Sequence, residues 1–278
     1  MNKVKFLDVR VRERFIKYAS AITGIIAVAI MFVDIPAEHK ITYGIGLVAV
    51  LIILYVYLWV QANKIRSIVL SVEGSTVNIM TGDIFKVEGF KAIAFNEYFD
   101  TLVDDKMISS KSLNGIFLKK HLRCSVDEID KYIDSYEFGD DEFIGEDRER
   151  KQGKKKKYAI GTLCVYDDYL MAAFSKFDDK NQARLTMPEY LEFLINFWDK
   201  VNKVYAQRSV SVPIFGSGIT RIKEHKNITD EELLKIMLWT FRISEMRFKH
   251  PAKLTVVIHE DKIETINLLD LKLARNGL

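Results

Sequence analysis

The chain has 278 residues, enough for about one or two domains, and its 41 basic and 38 acidic residues leave a formal net charge of +3. This balance excludes the strongly basic surface that is typical of nucleic-acid-binding domains. Cys124 and Cys164 form no disulfide framework, and the five histidines are scattered, so we predict neither a disulfide scaffold nor a metal site.

Two long uncharged runs lie near the N-terminus. Tyr43–Val60 contains no charged side chain and would span about 27 Å as a helix, close to the thickness of a bilayer core. Tyr18–Val33 is a second such run, and it can be extended backwards if Lys17 snorkels to the interface. We therefore predict two membrane-spanning helices, at about residues 15–33 and 41–60.

Two other interpretations of these runs are a cleaved signal peptide and a helical hairpin buried in a soluble protein. A signal peptide fits poorly because there are two runs and no cleavage site follows the first. Lysine and arginine are concentrated before the first run and after the second, which predicts that both termini are cytoplasmic. The predicted domains are an N-terminal segment with two spans, residues 1–66, and a cytoplasmic domain, residues 67–278.

Apolar runs in the second domain predict strands. They either alternate with polar residues or are continuously apolar, as half-buried and fully buried strands do. These runs are Ser75–Phe85, Lys91–Asn96, Tyr158–Tyr166, Tyr169–Phe177 and Lys253–His259. Asp167 and Asp168 separate two of them, which predicts a β-hairpin.

Capping boxes, in which a hydroxyl residue is followed three positions later by glutamate, predict the starts of three helices. They lie at Ser125, Thr186 and Thr229. Strands that alternate with capped helices, with one antiparallel hairpin between them, predict an α/β fold. We expect a three-layer α/β/α domain with a mixed sheet, preceded by the transmembrane helical hairpin.

Residues 138–157 carry acidic side chains followed by basic ones, including Lys154 to Lys157. This pattern predicts an exposed loop or hairpin tip whose charges are solvated. Contact of the lysines with anionic lipid is the alternative.

Val210–Ile222 begins as an apolar alternation and then breaks at Gly216-Ser217-Gly218, with Arg221 following. Glycine permits positive φ and close approach of a ligand, and successive N–H groups can form an anion-binding nest. A phosphate-binding loop is one interpretation, and an ordinary strand-to-helix turn is the other. Polar groups after the strand Lys91–Asn96 are further candidates, because ligands of open α/β sheets bind beyond the carboxyl ends of strands.

Three segments, in this order, resemble the ligand-binding segments of macro domains. Asn78–Phe85 (NIMTGDIF) resembles the opening strand that ends in Gly-Asp-Ile, and Phe95-Asn96 stands where macro domains carry an asparagine-bearing loop. Val212–Ile219 (VPIFGSGI) resembles the loop that wraps a diphosphate. Macro domains bind ADP-ribose and related molecules in one cleft, so the resemblance implies such a ligand here.

The resemblance also implies roles for individual residues. Asp83 would accept a hydrogen bond from the adenine amino group beside the Ile84 backbone, and Asn96 would face the distal ribose. Backbone N–H groups of the glycine stretch would bind the diphosphate. The residues predicted to bind the ligand are Asp83, Ile84, Asn96, Asp100, Thr101, Phe215, Gly216, Ser217, Gly218, Ile219, Thr220 and Arg221. No catalytic residue, cofactor or metal is predicted.

The chain departs from the macro-domain pattern beside the distal ribose. The usual Asn-Ala-Ala-Asn motif and the glycine run after it are absent, and Ala94–Thr101 (AFNEYFDT) and Ser112–Gly115 (SLNG) stand in their place. These segments hold the scissile ribose and water in macro-domain hydrolases. The departure implies loss of hydrolase activity and a different group beyond the distal ribose.

Two spans followed by this variant macro domain resemble, over nearly the whole chain, the membrane effectors of type II Thoeris anti-phage defence in bacteria. The resemblance implies a receptor in the cell membrane for an ADP-ribose-derived signal, such as a histidine conjugate, that a partner TIR enzyme makes from NAD. It also implies that binding drives homo-oligomer formation, disruption of membrane lipid and death of the infected cell. The alternatives are a membrane-tethered ADP-ribosyl hydrolase, with Asp100 or Glu97 as general base, and a structural membrane adaptor with a vestigial cleft.

Overall fold

The N-terminal part forms two helices, α1 (Val9–Ile30) and α2 (Ala37–Asn63). The structure, a computed structural model, describes residues 3–178, 182–218, 220–222, 225 and 227–273. Helix α1 begins where the Asp8 carboxylate accepts a hydrogen bond from the Arg10 amide, at 2.9 Å. Among the described helices, α2 alone has the length and composition to cross a membrane, with a mean hydropathy of 2.3.

Helix α1 does not share that property because its first three turns carry charged side chains, Arg10 to Lys17. The two-span hairpin therefore stays a prediction. An apolar cluster packs the base of the two helices against the rest of the chain, and its members are each at most 4% exposed: Val4, Val11, Leu58, Ala62 and Leu269. Farther along the helices the apolar side chains are exposed, Ile25 by 72% and Ile53 by 68%.

Eleven strands are described. Their bounds are β1 (Ser67–Val72), β2 (Ser75–Thr81), β3 (Phe90–Asn96), β4 (Phe143–Glu146), β5 (Lys156–Tyr158), β6 (Leu163–Tyr166), β7 (Tyr169–Phe177), β8 (Ala183–Leu185), β9 (Val210–Pro213), β10 (Arg221–Ile222) and β11 (Leu254–Ile258). Within the described ranges, nine of them form one sheet in the order β1-β2-β11-β9-β3-β7-β8-β10, with β6 paired to β7. Strands β4 and β5 pair separately.

The large sheet is mixed, as predicted. Strands β2, β11, β9, β3 and β7 are neighbours in that order and parallel to one another. Strand β1 is antiparallel to β2, and β6 and β8 are antiparallel to β7. The predicted hairpin around Asp167 and Asp168 is confirmed, because Tyr166 pairs with Tyr169.

Helices pack on both faces of the sheet. Those of the second domain are α3 (Leu113–Ile116), α4 (Val126–Ser135), α5 (Met187–Val204), α6 (Asp230–Ile243) and α7 (Leu268–Leu273). Successive strand residues point to opposite faces, so Ala92 packs in the same buried cluster as α5 and α6, whereas Ile93 packs in the cluster that contains α4. The capping boxes predicted at Ser125, Thr186 and Thr229 are all formed.

Candidate functional site

The five parallel strands end at one edge of the sheet, which we call the carboxyl edge. Asp83 follows the end of β2, Asn96 ends β3, and Gly216 follows the end of β9. Residues from three distant parts of the sequence are therefore brought to the same edge. His259, which the sequence analysis did not select, follows β11 and lies at this edge between the ends of β2 and β9.

The segment from residue 214 to residue 220, which we call the glycine loop, connects β9 to β10. Strand β10 pairs with β8, whereas β9 pairs with β3 and β11. The loop therefore passes the carboxyl ends of β3 and β7, which lie between its two anchoring strands. This is the route expected of a loop that borders a cleft at the carboxyl edge.

Buried aromatic side chains fix the start of the glycine loop. The ring of Phe215 is 1% exposed and packs against Phe174, Phe193 and Phe197. The Tyr190 hydroxyl donates a hydrogen bond to the Phe215 carbonyl at 2.9 Å. The Phe215 side chain thus belongs to the core, so Phe215 can offer a ligand only its backbone, and that role stays a prediction.

The glycines that follow differ in their surroundings. Gly216 has φ of 85°, a conformation that glycine adopts without strain, and a Cβ there would lie 3.5 Å from Tyr190 and from Leu233. Gly218 is exposed, and a Cβ there would meet no atom within 4 Å among the described residues. Ser217 and Thr220 are half-buried. Ile219 and the side chain of Arg221, both predicted to bind the ligand, lie outside the described part of the chain.

The Gly-Asp-Ile turn after β2 presents one carboxylate to solvent. Asp83 is exposed, and its Oδ1 accepts a hydrogen bond from the Phe85 amide at 3.0 Å. Ile84 is buried, so it can offer a ligand only its backbone. The Gly82 amide donates to the Ile258 carbonyl at 3.0 Å, which fixes the turn against β11.

Asn96 is buried, and its described contacts are within its own turn. Its Nδ2 donates to Asp100 Oδ2 at 2.8 Å, and its Oδ1 accepts from the amides of Tyr98 at 3.0 Å and Asp100 at 3.2 Å. Thr101 donates its hydroxyl hydrogen to Asp130 at 2.7 Å. These contacts shape the end of β3, and a direct role of Asn96 or Thr101 in ligand binding stays a prediction.

Asp100 forms a buried ion pair that the sequence analysis did not anticipate. The side chains of Arg150 and Asp100 are 7% and 1% exposed, and the guanidinium donates to both carboxylate oxygens at 2.6 and 3.1 Å. The Lys154 amide at 2.8 Å and the Asn96 Nδ2 at 2.8 Å bring the hydrogen bonds to this carboxylate to four. The guanidinium also lies over the Tyr98 ring, 3.8 Å from its centroid. The described hydrogen bonds to the Asp100 carboxylate all come from the chain itself, and a role of Asp100 in ligand binding stays a prediction.

The charged segment at residues 138–157 contains the antiparallel pair of β4 and β5 and is mostly exposed, as predicted for a hairpin tip, but its charges are not all solvated. Lys154, Lys156 and Lys157 form ion pairs with Asp130, Asp134 and Glu97, respectively. The segment covers the end of β3, next to Asn96. The exposed hairpin was predicted but these ion pairs were not, because the charges of a short run do not show which distant carboxylates they will meet.

Glu97 is a second buried carboxylate beside the end of β3. Its Oε1 accepts a hydrogen bond from the Phe177 amide at 3.3 Å. Lys157 Nζ lies 3.3 Å from Oε2, close enough for an ion pair but without the alignment of a hydrogen bond. Burial raises the pKa of the Glu97 carboxyl, and the positive charge of Lys157 opposes that shift.

A further ion pair joins the end of β7 to the first turn of α5. Lys176 Nζ lies 2.7 Å from Glu189 Oε1. Burial disfavours the charged form of Glu189, but hydrogen bonds from Lys176 and from the backbone of Thr186 lower its pKa to about 2. The carboxylate is therefore ionised at neutral pH and holds α5 against the strand beside the glycine loop.

The mixed sheet with helices on both faces, the Gly-Asp-Ile turn after one parallel strand and the glycine loop after another define the class of the second domain as a macro domain. A family model described as "Thoeris protein ThsA, Macro domain" matches residues 77–259. Thoeris protein ThsA of Bacillus amyloliquefaciens (strain Y2) is 36% identical over 256 residues, which cover 90% of this chain and 84% of that protein. The chain therefore belongs to the Thoeris ThsA family, which makes it a defence protein with a macro domain.

A solved structure of a mutant Oceanobacillus iheyensis macrodomain is also similar. It shares 14% identity with a TM-score of 0.39, over 74% of this chain and 92% of that chain. The assignment to the family rests on the two sequence matches above.

Proposed function

We propose that the protein is a membrane-anchored receptor for an ADP-ribose-derived signal, made by a partner TIR enzyme, and that binding triggers an anti-phage response. The convergence of Asp83 and the glycine loop at the carboxyl edge carries the proposal. An exposed carboxylate fits an exocyclic amine, and successive loop N–H groups fit a diphosphate. Membership of the Thoeris ThsA family supports the same conclusion.

We favour a receptor over an ADP-ribosyl hydrolase because of the carboxylates beside Asn96. A general base must reach the attacking water with a free lone pair. Asp100 is held by Arg150 and by the Lys154 amide, and Glu97 is buried against Phe177. Glu97 and Asp100 are each 1% exposed, so neither carboxylate is open to an attacking water, and we favour a binding function without turnover.

The exposed apolar surface of α1 and α2 supports insertion of both helices into the cell membrane. Helix α2 has 27 residues, about 40 Å at 1.5 Å per residue, which exceeds the thickness of a bilayer core. Tyr55 and Trp59 lie near its end, where interfacial aromatic residues occur. Lys64 and Arg66 after this helix support a macro domain on the cytoplasmic side. Ligand-driven homo-oligomers that disrupt the lipid complete the proposed response.

The binding proposal is tested by calorimetric titration of the full chain, in lipid nanodiscs, with ADP-ribose and with its histidine conjugate. Asp83→Ala should weaken binding about 10- to 100-fold, because it removes a charge-assisted hydrogen bond to the adenine. Glu88→Ala, which removes another exposed carboxylate from the same segment, should leave the affinity unchanged. Failure of the wild-type chain to bind either compound contradicts the proposal.

The membrane proposal predicts that charge in the middle of α2 releases the chain from the membrane. Val50 and Ile53 are exposed on α2, and two lysines there should cost about 5–7 kcal/mol at the bilayer centre. We expect the double variant to leave the carbonate-resistant membrane fraction. Val69→Lys, at an equally exposed apolar position of β1, is the matched control and should stay with the membrane. Unchanged membrane retention of the double variant would exclude α2 as a span.

A further inference from the structure

The base of the helical hairpin joins the macro domain at the carboxyl edge. Strand β1 starts at this edge, because Ser67 pairs with Met80 near the end of β2. The Arg66 carbonyl accepts a hydrogen bond from the Thr81 amide at 3.0 Å, two residues before Asp83. The end of α2 and the candidate ligand site are therefore at the same end of the domain.

The first turn of α6 packs in one buried cluster with the start of the glycine loop and is hydrogen-bonded to the segment that precedes α7. A Cβ on Gly216 would lie 3.5 Å from the side chain of Leu233 in that turn. Glu231 Oε1 accepts a hydrogen bond from Lys235 Nζ at 2.7 Å, and its Oε2 accepts one from the Asn267 amide at 2.8 Å. A displacement of the glycine loop would therefore shift the first turn of α6 and alter its hydrogen bond with Asn267.

Helix α7 and the residue before it continue these contacts to α1. Lys235 Nζ also donates to Asp270 Oδ2 at 3.1 Å, and Asp270 Oδ1 accepts from Arg10 Nε at 3.3 Å. Asn267 Nδ2 donates to Asp8 Oδ2 at 3.2 Å. Asp8 is the residue that caps α1, so two parallel connections run from α6 to the first turn of the first hairpin helix.

We propose that ligand binding at the glycine loop changes the conformation of the first turn of α1, and that these polar contacts transmit the change. The six residues form what we call the base network: Asp8, Arg10, Glu231, Lys235, Asn267 and Asp270. The proposal rests on the receptor function proposed above, and it gives that function a physical route to the membrane helices. A ligand acts through such a route only if it favours one arrangement of the network over another.

The contacts of the base network can rearrange without unfolding the domain. Its ion-paired side chains on α6, α7 and α1 are 23% to 36% exposed, and ion pairs of that kind contribute little to stability. The apolar side chain of Leu269, by contrast, is 1% exposed and packs in one cluster with Val11 and Leu58. Helix α7 thus stays attached to both hairpin helices while its polar contacts with α6 change.

A ligand-free experiment tests the network directly. Lys235→Met removes the cation that links α6 to α7, and the described hydrogen bonds and ion pairs of Lys235 are to Glu231 and Asp270 rather than to α1. Hydrogen exchange of the Arg10 and Arg12 amides, which donate to Asp8, should become about 5-fold faster or more. Arg242→Met is the matched control, because Arg242 lies on the same helix in a similarly exposed ion pair with Glu73. Equal exchange of these two amides in wild type and Lys235→Met overturns the proposal.

A second measurement uses the full chain in nanodiscs with ADP-ribose as the probe. In the wild type, ADP-ribose should change amide exchange in the first turns of both α6 and α1. In Lys235→Met the change should be confined to α6, and persistence of the α1 response overturns the network. If the wild type binds neither ADP-ribose nor its histidine conjugate, the receptor function loses its support, and the ligand-free comparison of Lys235→Met with Arg242→Met still decides the network.

Discussion

Replacing Arg150 with methionine is expected to lower the free energy of unfolding by about 3–5 kcal/mol. The change leaves the Asp100 carboxylate buried with only the Asn96 amide and the Lys154 backbone as donors. It also removes the guanidinium that covers the Tyr98 ring. Chemical denaturation of the detergent-solubilised chain, followed by tryptophan fluorescence, measures the loss.

Two variants control this experiment. Arg148→Met removes a neighbouring arginine that is 87% exposed, and it should change stability by less than about 0.5 kcal/mol. Arg150→Met combined with Asp100→Leu removes both charges and should recover most of the loss, as expected when a buried ion pair is replaced by apolar side chains. A loss below about 1 kcal/mol in the single variant would mean that Asp100 is accessible. Asp100 could then reach a water as general base, and hydrolase activity would become the favoured function.

Replacing Gly218 with glutamate is expected to abolish binding of ADP-ribose while the domain remains folded. Gly218 is exposed, and a Cβ there meets no described atom within 4 Å, so the folded chain accommodates a side chain. A carboxylate in the glycine loop would repel the diphosphate, at a cost of several kcal/mol, which corresponds to an affinity loss of about 100-fold or more. Calorimetry measures the affinity, and thermal unfolding checks the fold.

Other substitutions in the glycine loop distinguish the effect of side-chain charge from the effect of side-chain size. Gly218→Lys adds similar bulk with the opposite charge, so it should bind ADP-ribose better than Gly218→Glu. Gly216→Ala places a Cβ where φ is 85° and should cost about 1–2 kcal/mol of stability. Wild-type affinity in a folded Gly218→Glu variant would show that the diphosphate binds elsewhere.

The helices and strands of the macro domain were predictable because their signals are local. A capping box places a hydroxyl and a carboxylate within one turn, so the starts of α4, α5 and α6 could be read from four residues each. Alternation of Val77 and Ile79 predicted β2, which buries both side chains. The apolar composition of α2 predicted a membrane span, and the structure forms a helix there that is long and apolar enough to cross a membrane.

The positions of the candidate site residues were predictable only where a backbone feature defines them. The turn at Asp83 and the glycines at 216 and 218 depend on local conformation, and the structure brings them to one edge. The burial of the Phe215 ring could not be predicted from its neighbours in sequence, because the residues that cover the ring lie on α5 and β7. Asp100 likewise looked available until the position of Arg150, fifty residues away, was known.

The sequence by itself thus determined the class of fold, the order of the segments that meet at the carboxyl edge and the apolar character of the N-terminal helices. Periodicity, capping and turn chemistry act over a few residues, so they can be recognised in a single chain. Only the tertiary structure decided which charges are paired: Arg150 with Asp100, and the base network between α6, α7 and α1. Pairing depends on distances between side chains that are far apart in sequence, and the Coulomb energy of a pair is set by separation and burial rather than by composition.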